Sequence, residues 1–134
     1  MKTIEAPEDY RLTGTEFSLF LAGGITACPD WQSYAIELVG KWKNNDRLVV
    51  FNPRRKNFDI SETAISSQQI EWESKYLQRV NLITFWFCEK PIQPITLFEL
   101  GRYSHKEEVD RILVGADRNY IRRFDIEKYR LAFV

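Results

Sequence analysis

The segment NLITFWF, residues 81–87, is the stretch of sequence that decides the fold most clearly. Between Asn81 and Phe87 its only polar side chain is that of Thr84. A strand that is apolar on both faces lies inside a sheet covered on both sides, and such sheets are usually parallel. The segment therefore predicts a central strand of a parallel sheet.

Further short apolar runs predict the other strands of that sheet. FSLFLAG (17–23) and RLVVFNP (47–53) precede the central strand, and RILVGAD (111–117) follows it. YRLAFV (129–134) is expected to form a last strand, whereas the first dozen residues show little periodicity and are expected along the surface.

Helical patterns separate these strands. Asp30 is a plausible N-cap of a first helix, which the NND sequence at 44–46 ends. Its apolar face is predicted from residues at helical spacing: Trp31, Tyr34, Ala35, Leu38, Val39 and Trp42. A second helix is expected over 66–78, with an inner face built from Ile70, Leu77 and Val80 and with Trp72 and Tyr76 one turn apart. A third is expected over 95–109, and 118–129 is expected to hold a short helix. Strands that alternate with helices predict an α/β fold.

Length and composition set limits on the class of protein. The 134 residues suit one domain spanning 1–134, and 44% hydrophobic residues suffice for a core. A formal net charge of zero argues against nucleic-acid binding through bulk charge. We find no apolar run of the roughly 18 residues that span a bilayer and no signal-peptide pattern, so we expect a cytoplasmic protein with no membrane partner.

No metal or cofactor is expected. Cys28 and Cys88 lie far apart, and with His105 they lack the clustering of zinc ligands, so we expect two reduced thiols. The pair Gly23-Gly24 is neither a dinucleotide fingerprint nor a P-loop. Its two glycines favour a tight turn and a close backbone approach to a ligand about equally.

Polar residues that follow the strands are the first candidates for a ligand site, because α/β folds bind ligands beyond the carboxyl ends of their strands. The candidates are Ala22 to Thr26, Asn52 to Arg55, Cys88 to Gln93 and Ala116 to Arg118. Arginine pairs suit phosphate, although Arg54 and Arg55 could equally form salt bridges to Asp59 or Glu62. Glu71 and Glu73 flank a tryptophan and are typical of a surface edge.

Glu99, in ITLFELG (95–101), permits two interpretations that do not exclude each other. Thr96 and Glu99 have capping-box spacing, which favours a structural role at a helix N-terminus. A carboxylate at the first turn of a helix beyond a strand is also kept ionised by the helix dipole. Such a group is a competent nucleophile toward a sugar C1′.

Five segments together resemble the nucleoside 2-deoxyribosyltransferase-like family: FLAGGITACPDWQ, FNPRR, QIEWE, ITFWF and ITLFELGRY. The resemblance runs from about Phe17 to at least Tyr120. It implies a flavodoxin-like three-layer α/β sandwich with a five-stranded parallel sheet. It also implies transfer of 2-deoxyribose between nucleobases, or hydrolysis of the N-glycosidic bond of a deoxynucleotide.

The resemblance also implies residue roles. Glu99 matches the nucleophile that forms a covalent deoxyribosyl-enzyme, and Thr96 matches the Thr opening the same helix. Gly101 matches the Gly two residues after the nucleophile. Ala22, Gly23 and Gly24 match the loop lining the sugar and base pocket. The substrate-binding set is completed by Asn52, Arg54, Arg55, Glu71, Glu73 and Gln93.

Gln93 departs from the family pattern, in which an Asp at this position helps to hold the sugar. The implied partner is a small nucleoside or nucleotide, and the implied assembly is a homo-oligomer whose pockets a neighbouring subunit completes. Two functions stay open at this point: an enzyme acting on the N-glycosidic bond, and a non-catalytic nucleotide-binding module on the same fold.

Overall fold

Five strands form one sheet in the order β1-β3-β2-β4-β5. The computed structural model describes residues 1–56, 63–105 and 109–132, without the side chains of 109 and 129–132. The strands are β1 (Lys2–Glu5), β2 (Phe17–Gly23), β3 (Leu48–Asn52), β4 (Leu82–Phe87) and β5 (Ile112–Ala116). The helices are α1 (Trp31–Gly40), α2 (Thr63–Leu77), α3 (Pro94–Tyr103) and α4 (Arg123–Ala132), with a 3-10 turn at Val109–Arg111.

The parallel sheet with its helices confirms the predicted α/β, flavodoxin-like fold. Two strand predictions were wrong even so. The N-terminal segment expected along the surface forms β1, whose backbone pairs in parallel with β3 from Lys2 opposite Val49 to Glu5 opposite Asn52. The segment expected as a last strand instead continues α4 as far as Ala132. Among the described residues, no helix is both long and apolar enough to cross a bilayer.

The chain divides into two compact units. The first unit contains residues 1–21 and 30–81, and the second contains residues 22–29 and 82–134. Each unit has its own core and its own candidate site residues.

The core of the first unit is an aromatic cluster, formed by Tyr10, Phe20, Phe51, Trp72 and Tyr76. The rings of Phe51 and Tyr76 stack with centroids 4.3 Å apart, and the Trp72 ring meets Tyr76 edge-on at 4.9 Å. Phe20, Phe51 and Tyr76 are at most 1% exposed. Burial of this much aromatic surface is the main contribution to the stability of the unit.

Helix α1 begins where predicted, but it buries different residues. The Asp30 carboxylate accepts a hydrogen bond from the Ser33 backbone N–H at 3.0 Å, which confirms Asp30 as the N-cap. Of the predicted apolar face only Val39 is buried, and Tyr34 and Trp42 are each 62% exposed. Gln32 is fully buried instead. Apolar spacing therefore identified the helix but not the face that packs.

Helix α2 starts earlier than predicted, at Thr63, so Ser66, the predicted first residue, lies inside the helix. Ile70 is 64% exposed and does not belong to the inner face. The buried residues of this helix are Gln69, Trp72, Tyr76 and Leu77. The predicted salt-bridge partners Asp59 and Glu62 lie outside the described residues.

The second unit is built on β4, β5, α3 and α4. Ile83, Phe85 and Phe87 are fully buried, whereas the alternate residues Leu82, Thr84 and Trp86 are half-buried. Strand β4 is therefore covered completely on one face and only partly on the other. This corrects the expectation that both faces of the strand are buried. β5 pairs with it in parallel from Ile112 opposite Ile83 onward.

Candidate active site

Helix α3 begins at Pro94, with Gln93 as its N-cap in a left-handed conformation (φ 59°, ψ 60°). Proline suits the first helical position because its missing N–H has no partner there in any case. The expected capping box is wrong: Thr96 is the third helical residue, and Glu99 lies in the second turn. The helix dipole falls off within the first turn, so it contributes less to ionising Glu99 than the sequence suggested.

Glu99 lies at the border of the buried face of α3. Thr96, Glu99 and Tyr103 are spaced three and four residues apart along the helix, and Thr96 is 4% and Tyr103 7% exposed. Ile95, four residues before Glu99, and Phe98, next to it in the sequence, are 67% and 68% exposed. Glu99 is half-buried. Its side chain is thus partly shielded from solvent, between a buried and an exposed side of the helix.

The side-chain amide of Gln93 is buried and bonded to the backbone at four points. Its Oε1 accepts from the N–H groups of Gly24 at 3.1 Å and Cys88 at 3.4 Å. Its Nε2 donates to the carbonyl oxygens of Cys88 and Pro91, each at 2.9 Å. We call Gln93 with these backbone partners the amide cluster. It brings the loop after β2 to the loop after β4, as predicted for polar groups at the carboxyl ends of neighbouring strands.

Gly24 meets the amide cluster so closely that no side chain fits. A Cβ built on Gly24 would lie 2.2 Å from Cys28 Sγ and 2.5 Å from Gln93 Oε1. The φ of Gly24 is not in the left-handed region, so the requirement for glycine comes from close packing alone. Ala22 is 1% exposed and Gly23 half-buried, which completes the predicted loop.

Two residues of this unit were not predicted as part of the site. Tyr120 donates from its hydroxyl to the Ile92 carbonyl at 2.6 Å, and its ring lies 5.1 Å from that of Phe87. Cys28 directs its thiol at the Lys90 carbonyl at 3.7 Å. Both therefore hold the loop that leads into α3. The one available signal was their location, since each follows a predicted strand.

The remaining predicted residues lie in the first unit. The Asn52 side-chain oxygen accepts from the Arg54 backbone N–H at 3.0 Å. The Arg54 Nε donates to Gln32 at 2.9 Å and lies 3.4 Å from the Asp30 carboxylate. Burial raises the pKa of Asp30, but the Ser33 hydrogen bonds and the Arg54 charge outweigh it and lower that pKa overall. Arg54 is thus part of an internal polar network that also explains the buried Gln32.

Glu73 is a predicted acid whose pKa is raised above its ordinary value. Burial raises the pKa of its carboxyl, opposed by a 2.7 Å hydrogen bond from Gln69 Nε2 and by the Arg55 charge. Gln69 Nε2 also donates to the Pro53 carbonyl at 2.8 Å, whereas its buried Oε1 has no hydrogen-bond partner among the described residues. Glu71 is exposed. Arg55 donates from Nη2 to Gln68 at 2.6 Å. Of the two acids, Glu73 has the environment typical of functional carboxylates.

The strand order and a carboxylate on the helix after β4 define a flavodoxin-like α/β protein with a candidate carboxylate site. Residues 16–120 match the family described as nucleoside 2-deoxyribosyltransferase like, and the chain belongs to that family. The match includes every predicted site residue. A comparison with curated proteins finds no match. The described residues contain no cluster of three or more side chains suited to hold a metal ion.

Proposed function

We propose that the protein is an enzyme that cleaves or exchanges the N-glycosidic bond of a deoxynucleoside or deoxynucleotide, with Glu99 as nucleophile. The observation that carries the proposal is the family match over 16–120, which includes the half-buried Glu99 on α3. The family supports a nucleoside as the class of small molecule. The covalent role of Glu99 is our own assignment.

The chemistry follows that of retaining glycosidases. A Glu99 oxygen bonds to C1′ as the C1′–N bond breaks, and the electron pair leaves with the base, which takes up a proton. A second base, or water, then attacks C1′ and releases the carboxylate, and the attacking group gives up its proton. A fixed, half-buried carboxylate favours this reaction because less of its hydration shell has to be removed.

The other predicted site residues are assigned to the rest of the substrate. We assign Ala22, Gly23 and Gly24 to the sugar side, and Thr96 to holding the start of α3. We assign Glu73, with its raised pKa, to the nucleobase, with Glu71 beside it in the sequence. Asn52, Arg54 and Arg55 are assigned to a 5′-phosphate. The contact of Arg54 with Gln32 favours a structural role for that residue, so Arg55 is the stronger phosphate candidate.

A non-catalytic nucleotide-binding module is the second candidate. The observation that favours it is Gln93, an uncharged side chain where the family pattern places an Asp. We also propose that the chain forms a homo-oligomer. Tyr34, Leu38 and Trp42 form an exposed apolar row on one side of α1 and the residues after it, and they are 62%, 42% and 62% exposed. Sedimentation of the purified protein tests this assembly.

The deciding experiment offers deoxynucleosides and their 5′-monophosphates, with and without an acceptor base, and detects free base or a new nucleoside by chromatography. Glu99→Gln, which keeps the shape and removes the charge, should lower turnover by about 10³-fold or more. Glu37→Gln is the matched control, because this acid is exposed on α1 and pairs with the exposed Lys41.

Intact-mass measurement with a slow substrate should show an added deoxyribosyl group on the wild type and none on Glu99→Gln. An active Glu99→Gln protein would exclude the covalent mechanism. Binding of nucleotides by the wild type without any turnover would favour the non-catalytic module. Faster reaction with the monophosphate than with the nucleoside would support the assignment of Arg54 and Arg55.

A further inference from the structure

The hydrogen-bonding capacity of Gln93 is completely used. A carboxamide offers two acceptor positions on oxygen and two donor hydrogens on nitrogen. In Gln93 the oxygen accepts from two backbone N–H groups and the nitrogen donates to two backbone carbonyls. The side chain is only 5% exposed. No donor or acceptor position is left for a sugar hydroxyl, so direct contact with the substrate would require breaking a buried hydrogen bond.

The backbone groups that Gln93 holds are those that surround the start of α3. Gly24 follows β2, Cys88 follows β4, and Pro91 lies in the loop that leads into the helix. The backbone of Gln93 itself opens the helix, since its carbonyl accepts from the Leu97 N–H at 3.1 Å. One residue thus fixes the Gly24 loop and the first turn of the helix that carries Glu99 at the same time.

We propose that Gln93 is a positioning residue, whose amide holds the Gly24 loop and the start of α3 in register for the reaction of Glu99, and that it does not contact the sugar. The proposal rests on the proposed function. It reverses the role expected from the Asp that other members of the family carry at this position. A displacement of about 1 Å of a reacting group costs roughly 100-fold in rate, so a positioning role has a measurable effect on turnover.

Gln93→Glu separates positioning from contact, because it keeps the size of the side chain and removes both N–H donors. One carboxylate oxygen could still accept from Gly24 and Cys88, but the other would face the carbonyl oxygens of Cys88 and Pro91. This repulsion raises the pKa of the introduced acid, because protonation restores one donor. A folded-state pKa above the unfolded value gives stability that is present at low pH and is lost as pH rises through the folded value.

The experiment measures kcat, KM and thermal midpoint of wild type, Gln93→Glu and Gln93→Met between about pH 8 and about pH 5. At the higher pH values we expect Gln93→Glu to lose about 10-fold or more in kcat, with little change in KM. As the pH falls, both its kcat and its thermal midpoint should recover. Gln93→Met, with no titratable group, should lose kcat at every pH. Gln78→Glu is the matched control, because Gln78 is exposed and donates a hydrogen bond to Ser74 at 3.2 Å, away from the amide cluster in sequence and in partner.

Three results would overturn the proposal. A rise in KM with unchanged kcat and thermal midpoint would mean that Gln93 contacts the substrate. Wild-type behaviour of both Gln93 variants would mean that the amide cluster holds nothing that the reaction needs. A pH profile of Gln93→Glu identical in shape to that of Gln78→Glu would show that the introduced carboxyl is not buried with a raised pKa.

Failure of the proposed function gives a different pattern. An inactive wild type would refute the enzyme and with it the catalytic half of the inference. The thermal midpoints would still decide the structural half, because only a carboxyl inside the amide cluster makes Gln93→Glu more stable as pH falls.

Discussion

The aromatic cluster of the first unit and the amide cluster of the second unit stabilise their surroundings in different ways. In the first, five rings share a large buried surface, and the centroids of the nearest pair of rings, Phe51 and Tyr76, are 4.3 Å apart. In the second, one side chain makes four directed hydrogen bonds within 3.4 Å. Apolar packing depends mainly on volume, whereas a hydrogen-bonded group depends on the position and the chemistry of each atom.

The difference shows where each unit tolerates change. A ring replaced by another apolar group of similar size keeps most of its buried area. An amide replaced by an acid of the same size loses its donors and leaves buried carbonyls without partners, which costs more than the lost bonds themselves. The first unit should therefore be sensitive to deletion of volume, and the second to changes of one or two atoms.

The largest expected effect comes from removing volume in the aromatic cluster. Phe51→Ala should lower the free energy of unfolding by about 3–5 kcal/mol, because the fully buried ring leaves a cavity among Tyr10, Trp72 and Tyr76. Denaturant unfolding measures this loss. Phe124→Ala is the control, because that ring is 67% exposed and should cost much less. Equal losses for both variants would show that the cluster is not the core of its unit.

An intermediate effect is expected from adding one methyl group to the amide cluster. Gly24→Ala should cost about 1–3 kcal/mol, because its Cβ overlaps both Cys28 Sγ and Gln93 Oε1. The thiol can rotate away, whereas the amide is held by its four hydrogen bonds. Gly101→Ala is the matched control: it meets no atom within 4 Å and should stabilise helix α3 by about 0.5–1 kcal/mol. A neutral Gly24→Ala would mean that the amide cluster can shift freely.

The smallest effect concerns the loop beside the aromatic cluster. Hydrogen bonds from the Thr13 side chain and backbone, together with one from the Tyr10 hydroxyl, lower the pKa of Glu16 to about 2. A lowered folded-state pKa gives stability that is present above the unfolded value of 4.5 and is lost as pH falls toward about 2. Glu16→Gln should therefore reduce the acid-induced fall in thermal midpoint between these values. Glu37→Gln serves as a control, and an unchanged slope in Glu16→Gln would show that this carboxylate is not bonded in solution.

Much of the fold could be predicted from the sequence because apolar runs and caps are local signals. Strands β2 to β5 and the Asp30 cap lie where they were predicted. β1 was missed because Lys2–Glu5 is short and carries no apolar repeat, and its pairing with β3 depends on residues far along the chain. The expected C-terminal strand was wrong because the apolar residues of YRLAFV suit a strand and a helix equally well, and the segment extends α4.

The residues of the candidate site could be named from the sequence, but their contacts could not. Glu99 and the Gly24 loop were predicted from motifs at strand ends and stay predictions as site residues, whereas the close packing at Gly24 gives a physical reason for that glycine. The partners of Gln93 are backbone groups, and no residue pattern encodes them. The burial of Gln32 and Gln69 was missed for the same reason, since each is placed by hydrogen bonds to Arg54 and to the Pro53 carbonyl, respectively.

The position of β1 in the sheet has a consequence for biosynthesis. β1 pairs with β3 and not with β2, the strand that follows it in the chain. The residue opposite Lys2 is therefore Val49, far along the sequence. A ribosome adds about 5–20 residues per second, and the first strand therefore spends on the order of seconds without the partner that completes its hydrogen bonds. The same separation makes closing this loop slower than forming a hairpin. During that interval the apolar Ile4 lacks the neighbouring strand that helps to bury it, although in the finished protein that side chain is fully buried.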